Sequence, residues 1–172
     1  MRRRKTKRSI PDPLTAEECA ALLKVPNKRY PTGLRNLVMI RLMLALGLRC
    51  AEVLALRIQD VDLQSGKLRV EKGKGKKDRI LWLNVEMLEL LQEWRERRIV
   101  QSEYYFTTLK GAQLKSRYVR AMMERYKAKA GIVRKCSPHT LRHTFATDLL
   151  RQTGNIEIVR KALGHEDVST TG

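Results

Sequence analysis

The segment at residues 33–46 limits most strongly what this chain can fold into, because it is almost continuously apolar. Its polar side chains are Arg35, Asn36 and Arg41. Apolar residues at this density predict a helix that is buried on most of its sides, so we expect the core to form around it. Arg41 also keeps the uninterrupted apolar run well below the roughly 18 residues of a membrane span, so we predict no membrane insertion.

The predicted core belongs to a strongly basic chain. Its 172 residues include 36 Lys+Arg against 18 Asp+Glu, a formal net charge of +18, and 42% of them are hydrophobic, which argues against a disordered polycation. Six of the first eight residues are basic, as are seven between 67 and 79 and nine between 110 and 135. Charge spread over several segments suits a surface that follows nucleic acid better than a single membrane-binding helix. A solvated basic surface is the alternative.

Capping signals and apolar spacing predict a mainly helical fold with one β-hairpin. Thr15 and Glu18 form a capping-box pattern, and Pro138 occupies a first-turn position after Ser137. Alternating apolar residues around the glycine-rich link at 73–77 predict a hairpin with a cationic tip. The predicted helices cover residues 16–24, 33–46, 49–56, 84–99, 119–131, 138–151 and 156–163, the predicted strands cover 68–70 and 80–82, and 104–109 is predicted to be extended.

The N-terminal segment and the cysteines narrow the cellular context. Residues 1–13 are basic and have no apolar segment behind them, so we predict an arm or linker rather than a secretory signal. A single domain over 14–172 and a cytoplasmic location are expected. Cys19, Cys50 and Cys136 lack the spacing of a disulfide framework or a zinc ribbon, so we expect free thiols, no metal and no cofactor.

One predicted helix presents side chains that are suited to an anion. His139, Arg142 and His143 are spaced i, i+3 and i+4, so they share roughly one face. A guanidinium can hold two phosphate oxygens while an imidazole donates or transfers a proton. Two other interpretations stay open at this point. His143 packs in the core while Arg142 forms a surface salt bridge, or His139 and His143 bind zinc with His165, although Arg142 would repel the cation.

Four short segments, in a fixed order, carry a family resemblance. They are GLRCAEV at 47–53, GKGKKDR at 73–79, HTLRH at 139–143 and LGH at 163–165. Together they resemble the tyrosine recombinase (phage integrase) family, in its Xer-like branch, over about residues 15–171. The resemblance implies a mainly α (α+β) catalytic domain with a small antiparallel three-stranded β-sheet. It also implies a site-specific recombinase or integrase that binds double-stranded DNA and activates a scissile phosphate for transesterification to a tyrosine.

The resemblance implies roles for the cations of the catalytic pocket. Arg49 and Arg142 match the two arginines that clamp the non-bridging oxygens of the scissile phosphate, where their charge stabilises the pentacoordinate transition state. Lys74 matches the hairpin lysine that acts as general acid toward the leaving 5′ oxygen. A shift of one residue in the hairpin would make Lys72 its rival.

The resemblance also covers histidines, one acid and the DNA-binding surface. His139 and His165 match positions that hydrogen-bond the phosphate and handle the proton of the nucleophile. Glu52 resembles the acid that braces the first arginine, and His143 matches a position that supports the pocket. Other basic residues are expected to bind DNA, the last three of them on a helix predicted to face a groove: Lys72, Lys76, Lys77, Lys115, Arg117 and Arg120.

The chain departs from the family pattern at the nucleophile. The family tyrosine corresponds to position 174, and this sequence stops at Gly172. The five tyrosines of the chain lie in unrelated segments: Tyr30, Tyr104, Tyr105, Tyr118 and Tyr126. We therefore expect this chain alone to be inactive in cleavage and monomeric, whereas full-length family members form a tetrameric synaptic complex. The alternative is a non-cleaving relative that occupies recombination sites by binding DNA.

Overall fold

The structure, a computed structural model, describes residues 12–71 and 78–164, and its elements surround one central helix. The first part forms α1 (Ala16–Lys24), α2 (Pro31–Leu46), α3 (Cys50–Ala55), a 3₁₀ turn (Ile58–Asp60), β1 (Val61–Asp62), β2 (Lys67–Val70) and β3 (Arg79–Trp82). The second part forms α4 (Val85–Arg97), α5 (Ser116–Lys129), α6 (Pro138–Thr153) and α7 (Ile156–Leu163). The predicted mainly α architecture with a small antiparallel sheet is confirmed.

The central helix is α2, as the apolar density of its sequence predicts. It begins at Pro31, two residues before the predicted start, because proline is well suited to the first helical turn. Residues 33–40, 42 and 43 are buried, and α2 packs against α1, α3, α4 and α6. Within the described part of the chain, no helix has both the length and the apolar character that a membrane crossing requires.

Local capping explains where several helices begin. The Thr15 hydroxyl accepts a hydrogen bond from the Glu18 N–H, and the Glu18 carboxylate accepts one from the Thr15 N–H, which completes the predicted capping box of α1. Ser137 caps α6 ahead of Pro138, and Asn155 caps α7. These three helices therefore start at the predicted residues.

The sheet is antiparallel with the strand order β1-β2-β3, which confirms the predicted hairpin. The predicted cationic tip at 72–77 lies outside the described residues. Leu68 and Val70 of β2 are buried, whereas Ile80 and Trp82 of β3 are 50% and 67% exposed. Ile80 and Trp82 thus face solvent, and the inward positions of β3 belong to Arg79 and Leu81.

Two pairings differ from the sequence-based prediction. The family resemblance implied a third strand, but the residue pattern did not locate β1, because a strand of two residues is too short to show alternation. The segment 104–109 forms isolated β-bridges and is not a strand. Tyr104 pairs with Arg57, and Thr107 pairs with Gln113. This segment is therefore a connection to α5 and not a member of the sheet.

The junction between α2 and α3 depends on a glycine in the left-handed conformation. Gly47 ends α2 with φ 64°, a value that glycine adopts without steric cost. A Cβ atom at this position would overlap the Phe145 ring of α6 and crowd Leu163 of α7. The missing side chain lets three helices meet directly before the start of α3.

Gly47→Ala is expected to destabilise the domain more than Gly154→Ala. Both glycines end a helix, with φ 64° and 62°, so both substitutions carry a left-handed penalty of about 1–2 kcal/mol. Nothing lies within 4 Å of a Cβ added at Gly154, whereas at Gly47 overpacking against Phe145 adds about 1–3 kcal/mol. Urea unfolding measures both losses. Equal losses would show that the ring moves aside freely.

Candidate active site

Three of the predicted site residues meet where a side chain of α6 reaches the first turn of α3. Nη1 of Arg49 lies 2.9 Å from Oε1 of Glu52. Nη1 of Arg142 lies 4.0 Å from Oε2 of the same carboxylate. The fold thus gathers two arginines from distant parts of the chain around one acid.

The first turn of α3 fixes Arg49 and Glu52 relative to each other. Arg49 is the N-cap residue and Glu52 is the third residue of the helix. The Arg49 N–H donates to Oε2 of Glu52 at 2.8 Å, while the guanidinium donates to Oε1. A carboxylate in the first turn satisfies a free N–H and complements the positive end of the helix. The Arg49 side chain is 41% exposed against 11% for Glu52, so Arg49 reaches solvent from a buried base.

Arg142 is buried and is held by backbone oxygens. Its Nη1 donates to the Gly47 carbonyl, and its Nη2 donates to the Leu163 carbonyl at 2.9 Å. These two bonds connect α6 with the α2–α3 junction and with the end of α7. Arg142 is only 9% exposed, so the interpretation of this residue as a surface salt bridge is wrong.

A third arginine belongs to this cluster, and the sequence-based prediction assigned no role to it. Arg79, the first residue of β3, donates from Nη1 and Nη2 to the two oxygens of Glu52 at 2.8 and 2.9 Å. A bidentate pair of this kind holds the carboxylate in one orientation. Arg79 and Leu81 occupy the inward positions of β3. An arginine on an inward strand position requires an acid nearby, but the apolar Ile80 and Trp82 suggest the other face as the inward one, so the residue pattern of β3 did not reveal this position.

The cluster of Arg49, Glu52, Arg79 and Arg142 carries more positive than negative charge. Burial by itself would raise the pKa of Glu52, but hydrogen bonds from Arg79 and Arg49 lower it to about 2. Burial lowers the pKa of Arg142 to about 10, and the charge of Arg49 acts in the same direction. A further anion would relieve this mutual repulsion, so the cluster is suited to bind a phosphate.

The described histidines lie on the same helix as Arg142. His139 is exposed in the first turn of α6, and His143 is half-buried one turn later. The interpretation that His143 packs in the core is therefore met only in part. Among residues 12–71 and 78–164, no group of three or more His, Cys, Asp or Glu side chains could hold a metal ion.

Several predicted site residues lie outside the described part of the chain. They are Lys72, Lys74, Lys76, Lys77 and His165. Chain connectivity still relates their segments to the cluster. Segment 72–77 ends two positions before Arg79, which binds Glu52. His165 follows two positions after Leu163, which accepts a hydrogen bond from Arg142.

The other predicted DNA-binding residues lie on the exposed side of α5. Lys115 is the N-cap residue, and Lys115, Arg117 and Arg120 are all exposed. Burial raises the pKa of the Cys50 thiol, and the charge of Arg120 opposes that shift, which places Arg120 near the start of α3. Arg120 is thereby related to α3, whose first turn holds Arg49 and Glu52.

The fold is that of a tyrosine recombinase domain. The profile of the Phage integrase family matches residues 13–172, and the chain belongs to this family. The tyrosine recombinase XerD of Ralstonia nicotianae is 37% identical over 168 residues, which cover 94% of this chain and 54% of that protein. The chain thus spans about half the length of the curated relatives that it matches.

Solved structures show the same relationship. The crystal structure of XerA recombinase matches this chain with a TM-score of 0.83 and 32% identity. The match covers 96% of this chain and 60% of the XerA chain. The XerH site-specific recombinase, in a post-cleavage complex with palindromic difH substrate, has a TM-score of 0.78 and 34% identity. That match covers 91% of this chain and 47% of the XerH chain.

Glu52→Gln is expected to destabilise the protein at neutral pH and to have little effect on its stability at about pH 2. The pKa of Glu52 falls from its ordinary value of 4.5 to about 2 in the folded protein. The carboxylate therefore stabilises the fold above about pH 4.5, and this contribution is lost as the pH falls toward 2. The shift corresponds to about 3 kcal/mol at neutral pH. Denaturant unfolding of wild type and variant across this range measures the difference.

Glu103→Gln is the matched control for this measurement. Glu103 pairs with Arg57 at 3.2 Å on the surface, where both side chains are exposed, so its loss is expected to change stability by less than about 1 kcal/mol. A Glu52→Gln effect that stays constant down to low pH would contradict the assignment of the pH dependence to this carboxylate.

Proposed function

We propose that this domain is the DNA-binding and phosphate-activating part of a site-specific tyrosine recombinase. It binds double-stranded DNA and holds one phosphodiester for attack by a tyrosine hydroxyl. The attack forms a 3′-phosphotyrosyl bond, breaks the bond to the 5′ oxygen and releases a 5′ hydroxyl after that oxygen gains a proton. Two guanidinium groups supply the electrostatic stabilisation that a metal ion gives in other phosphoryl transfers.

The convergence of Arg49 and Arg142 on the buried Glu52 is the observation that carries this proposal. Arg79 occupies both oxygens of Glu52, so the single acid is already engaged, and Arg49 remains partly exposed. A phosphate oxygen placed against Arg49 and Arg142 would supply the missing negative charge. Surface arginines are sufficient for a protein that only follows the DNA backbone, whereas Arg142 is buried close to the carboxylate that also binds Arg49.

The remaining roles in this proposal follow the family resemblance. Lys74 protonates the leaving 5′ oxygen, with Lys72 as its rival. His139 and His165 hydrogen-bond the phosphate and take up the proton of the nucleophile, while His143 supports the pocket. The exposed position of His139 in the first turn of α6 is compatible with contact to a bound phosphate.

Four of the five tyrosines have contacts or positions that make them poor candidates for the nucleophile. Tyr105 is fully buried, and its hydroxyl donates to the Leu91 carbonyl at 2.8 Å. Tyr118 and Tyr126 hydrogen-bond to side chains of α2. Tyr30 lies at the opposite end of α2 from the cluster, about 24 Å away by helix length. We propose that another tyrosine serves, at the position that the family pattern places at 174, and that full-length protein acts in a tetrameric complex.

Duplex DNA is expected to bind with a strong salt dependence, to which Arg120 contributes. Each phosphate that is neutralised adds about −0.9 to the slope of log affinity against log salt concentration. Arg120→Gln is therefore expected to make the slope shallower by about 0.9. The control is Arg95→Gln, which removes the same charge from the exposed surface of α4 and should leave the slope unchanged. Fluorescence anisotropy at several salt concentrations checks both values. Identical slopes for the two variants would show that α5 is not part of the DNA interface.

The polypeptide of residues 1–172 is expected to form no covalent adduct with a nicked duplex. A polypeptide extended to include a tyrosine at position 174 is expected to form an adduct that survives denaturing electrophoresis. In that extended protein Arg142→Lys should lower the rate roughly 100-fold, because lysine keeps the charge but lacks the planar fork. An adduct on one of the five existing tyrosines would contradict the proposal. Duplex binding without any adduct from the extended protein would favour the non-cleaving alternative.

A further inference from the structure

Arg35 of α2 is a buried cation without an acidic partner among the residues that the structure describes. It is 2% exposed. Its Nη1 donates to the Thr107 carbonyl at 2.6 Å, and its Nη2 donates to the Tyr118 hydroxyl at 2.5 Å. The guanidinium carbon also lies 4.9 Å from the centre of the Tyr118 ring. A buried charge is unfavourable unless polar groups surround it, so these neutral neighbours must hold the guanidinium in place.

A directed chain of hydrogen bonds leads from Arg35 to α5. Nε and Nη2 of Arg35 lie 3.4 Å from Oδ1 of Asn36, and the Tyr118 hydroxyl donates to the same oxygen at 3.1 Å. Nδ2 of Asn36 donates to the Tyr126 hydroxyl at 2.9 Å. Because arginine can only donate, the direction of each later bond is determined, and so is the orientation of the Asn36 amide.

The two tyrosines fix α5 at two separate points. Tyr118 and Tyr126 lie about 12 Å apart along α5, yet their hydroxyls converge on two adjacent residues of α2. Apolar contacts between helices tolerate small shifts, whereas hydrogen bonds at two points oppose both sliding along the helix axis and rolling about it. Arg35 also holds the Thr107 carbonyl, which lies in the connection that leads into α5.

The helix α5 and its N-cap also carry exposed cations, namely Lys115, Arg117 and Arg120. An arginine reads a guanine by two hydrogen bonds to one base edge, and this contact requires accurate placement of the guanidinium. A small roll of α5 would move these side chains away from one base edge and toward phosphates or another base. Phosphate contacts tolerate such a change better, because they carry no sequence information.

We propose that Arg35 and Asn36 are positioning residues for DNA sequence recognition, acting through Tyr118 and Tyr126 on the exposed cations of α5. This inference rests on the proposed function, since it takes α5 to lie on duplex DNA. The network sets the rotation and the axial position of α5. It therefore contributes to discrimination between DNA sequences and not to the salt-dependent attraction to the DNA backbone.

The test compares sequence discrimination in wild type and in the double variant Tyr118→Phe/Tyr126→Phe. Wild-type protein first selects its preferred duplex from a pool with a randomised centre. Affinities for that duplex and for its shuffled sequence are then measured at one salt concentration. The ratio of the two affinities is expected to fall roughly tenfold in the double variant, which corresponds to the loss of one well-placed base contact. The salt slope on the shuffled duplex is expected to stay unchanged.

Two further comparisons separate positioning from loss of stability. Tyr105→Phe removes another buried hydroxyl, which bonds to Leu91 and does not touch α5, so it should lower the melting temperature and leave the ratio intact. Asn36→Asp keeps the acceptor oxygen Oδ1 and replaces the donor nitrogen with a second acceptor, to which the Tyr126 hydroxyl can then donate, so discrimination should be retained. Asn36→Leu should lose the discrimination between DNA sequences. Melting curves establish that each variant is folded at the assay temperature.

The outcomes distinguish this inference from the proposed function. An unchanged ratio in the Tyr118→Phe/Tyr126→Phe protein, or an equal fall in Tyr105→Phe, would overturn the inference. Duplex binding by wild type without any preference over the shuffled sequence would also overturn it and leave DNA binding intact. Failure of wild type to bind any duplex would overturn the proposed function itself.

Discussion

The carboxylate of Glu52 is the group on which the arginine cluster depends. It accepts both arms of the Arg79 guanidinium and one arm of Arg49, and it lies 4.0 Å from Arg142. Without this charge, three cations from three elements would repel one another in a largely buried site. One negative charge is enough to hold them together and too little to neutralise them. The same interaction therefore explains the stability of the cluster and its suitability for a phosphate.

The central helix α2 relates this cluster to the rest of the proposed DNA interface. At its C-terminal end, Gly47 has no side chain, which allows α6 and α7 to approach and lets its carbonyl accept a hydrogen bond from Arg142. Near its N-terminal end, Arg35 and Asn36 hold α5. A helix of this length spans about 24 Å and is packed on nearly all sides, so it cannot shift without disturbing the core. The packing of the core therefore also fixes the positions of the functional side chains.

Most of the fold could be predicted because helix ends depend on nearby residues. The caps of α1, α6 and α7 act within three residues of the helix start, and proline and glycine mark the same boundaries. Arg49, Glu52 and Arg142 could be found because each lies in a short motif. Arg79 also ends one of the four segments, but its role was missed, because that role depends on which side of β3 faces inward. The apolar residues Ile80 and Trp82 suggest one face, and packing buries the other.

The sequence by itself determined the helical character, the positive charge, the family and the residues that the family resemblance marks. Only the tertiary structure decided which charges share a carboxylate and which remain without an acid. Arg79 meets Glu52, and Arg35 meets Tyr118, across 27 and 83 positions of the chain. Local propensity acts over a few residues, whereas pairing and burial of charge depend on how distant elements pack. For that reason both arginines look like ordinary basic residues in the sequence and acquire their roles in the fold.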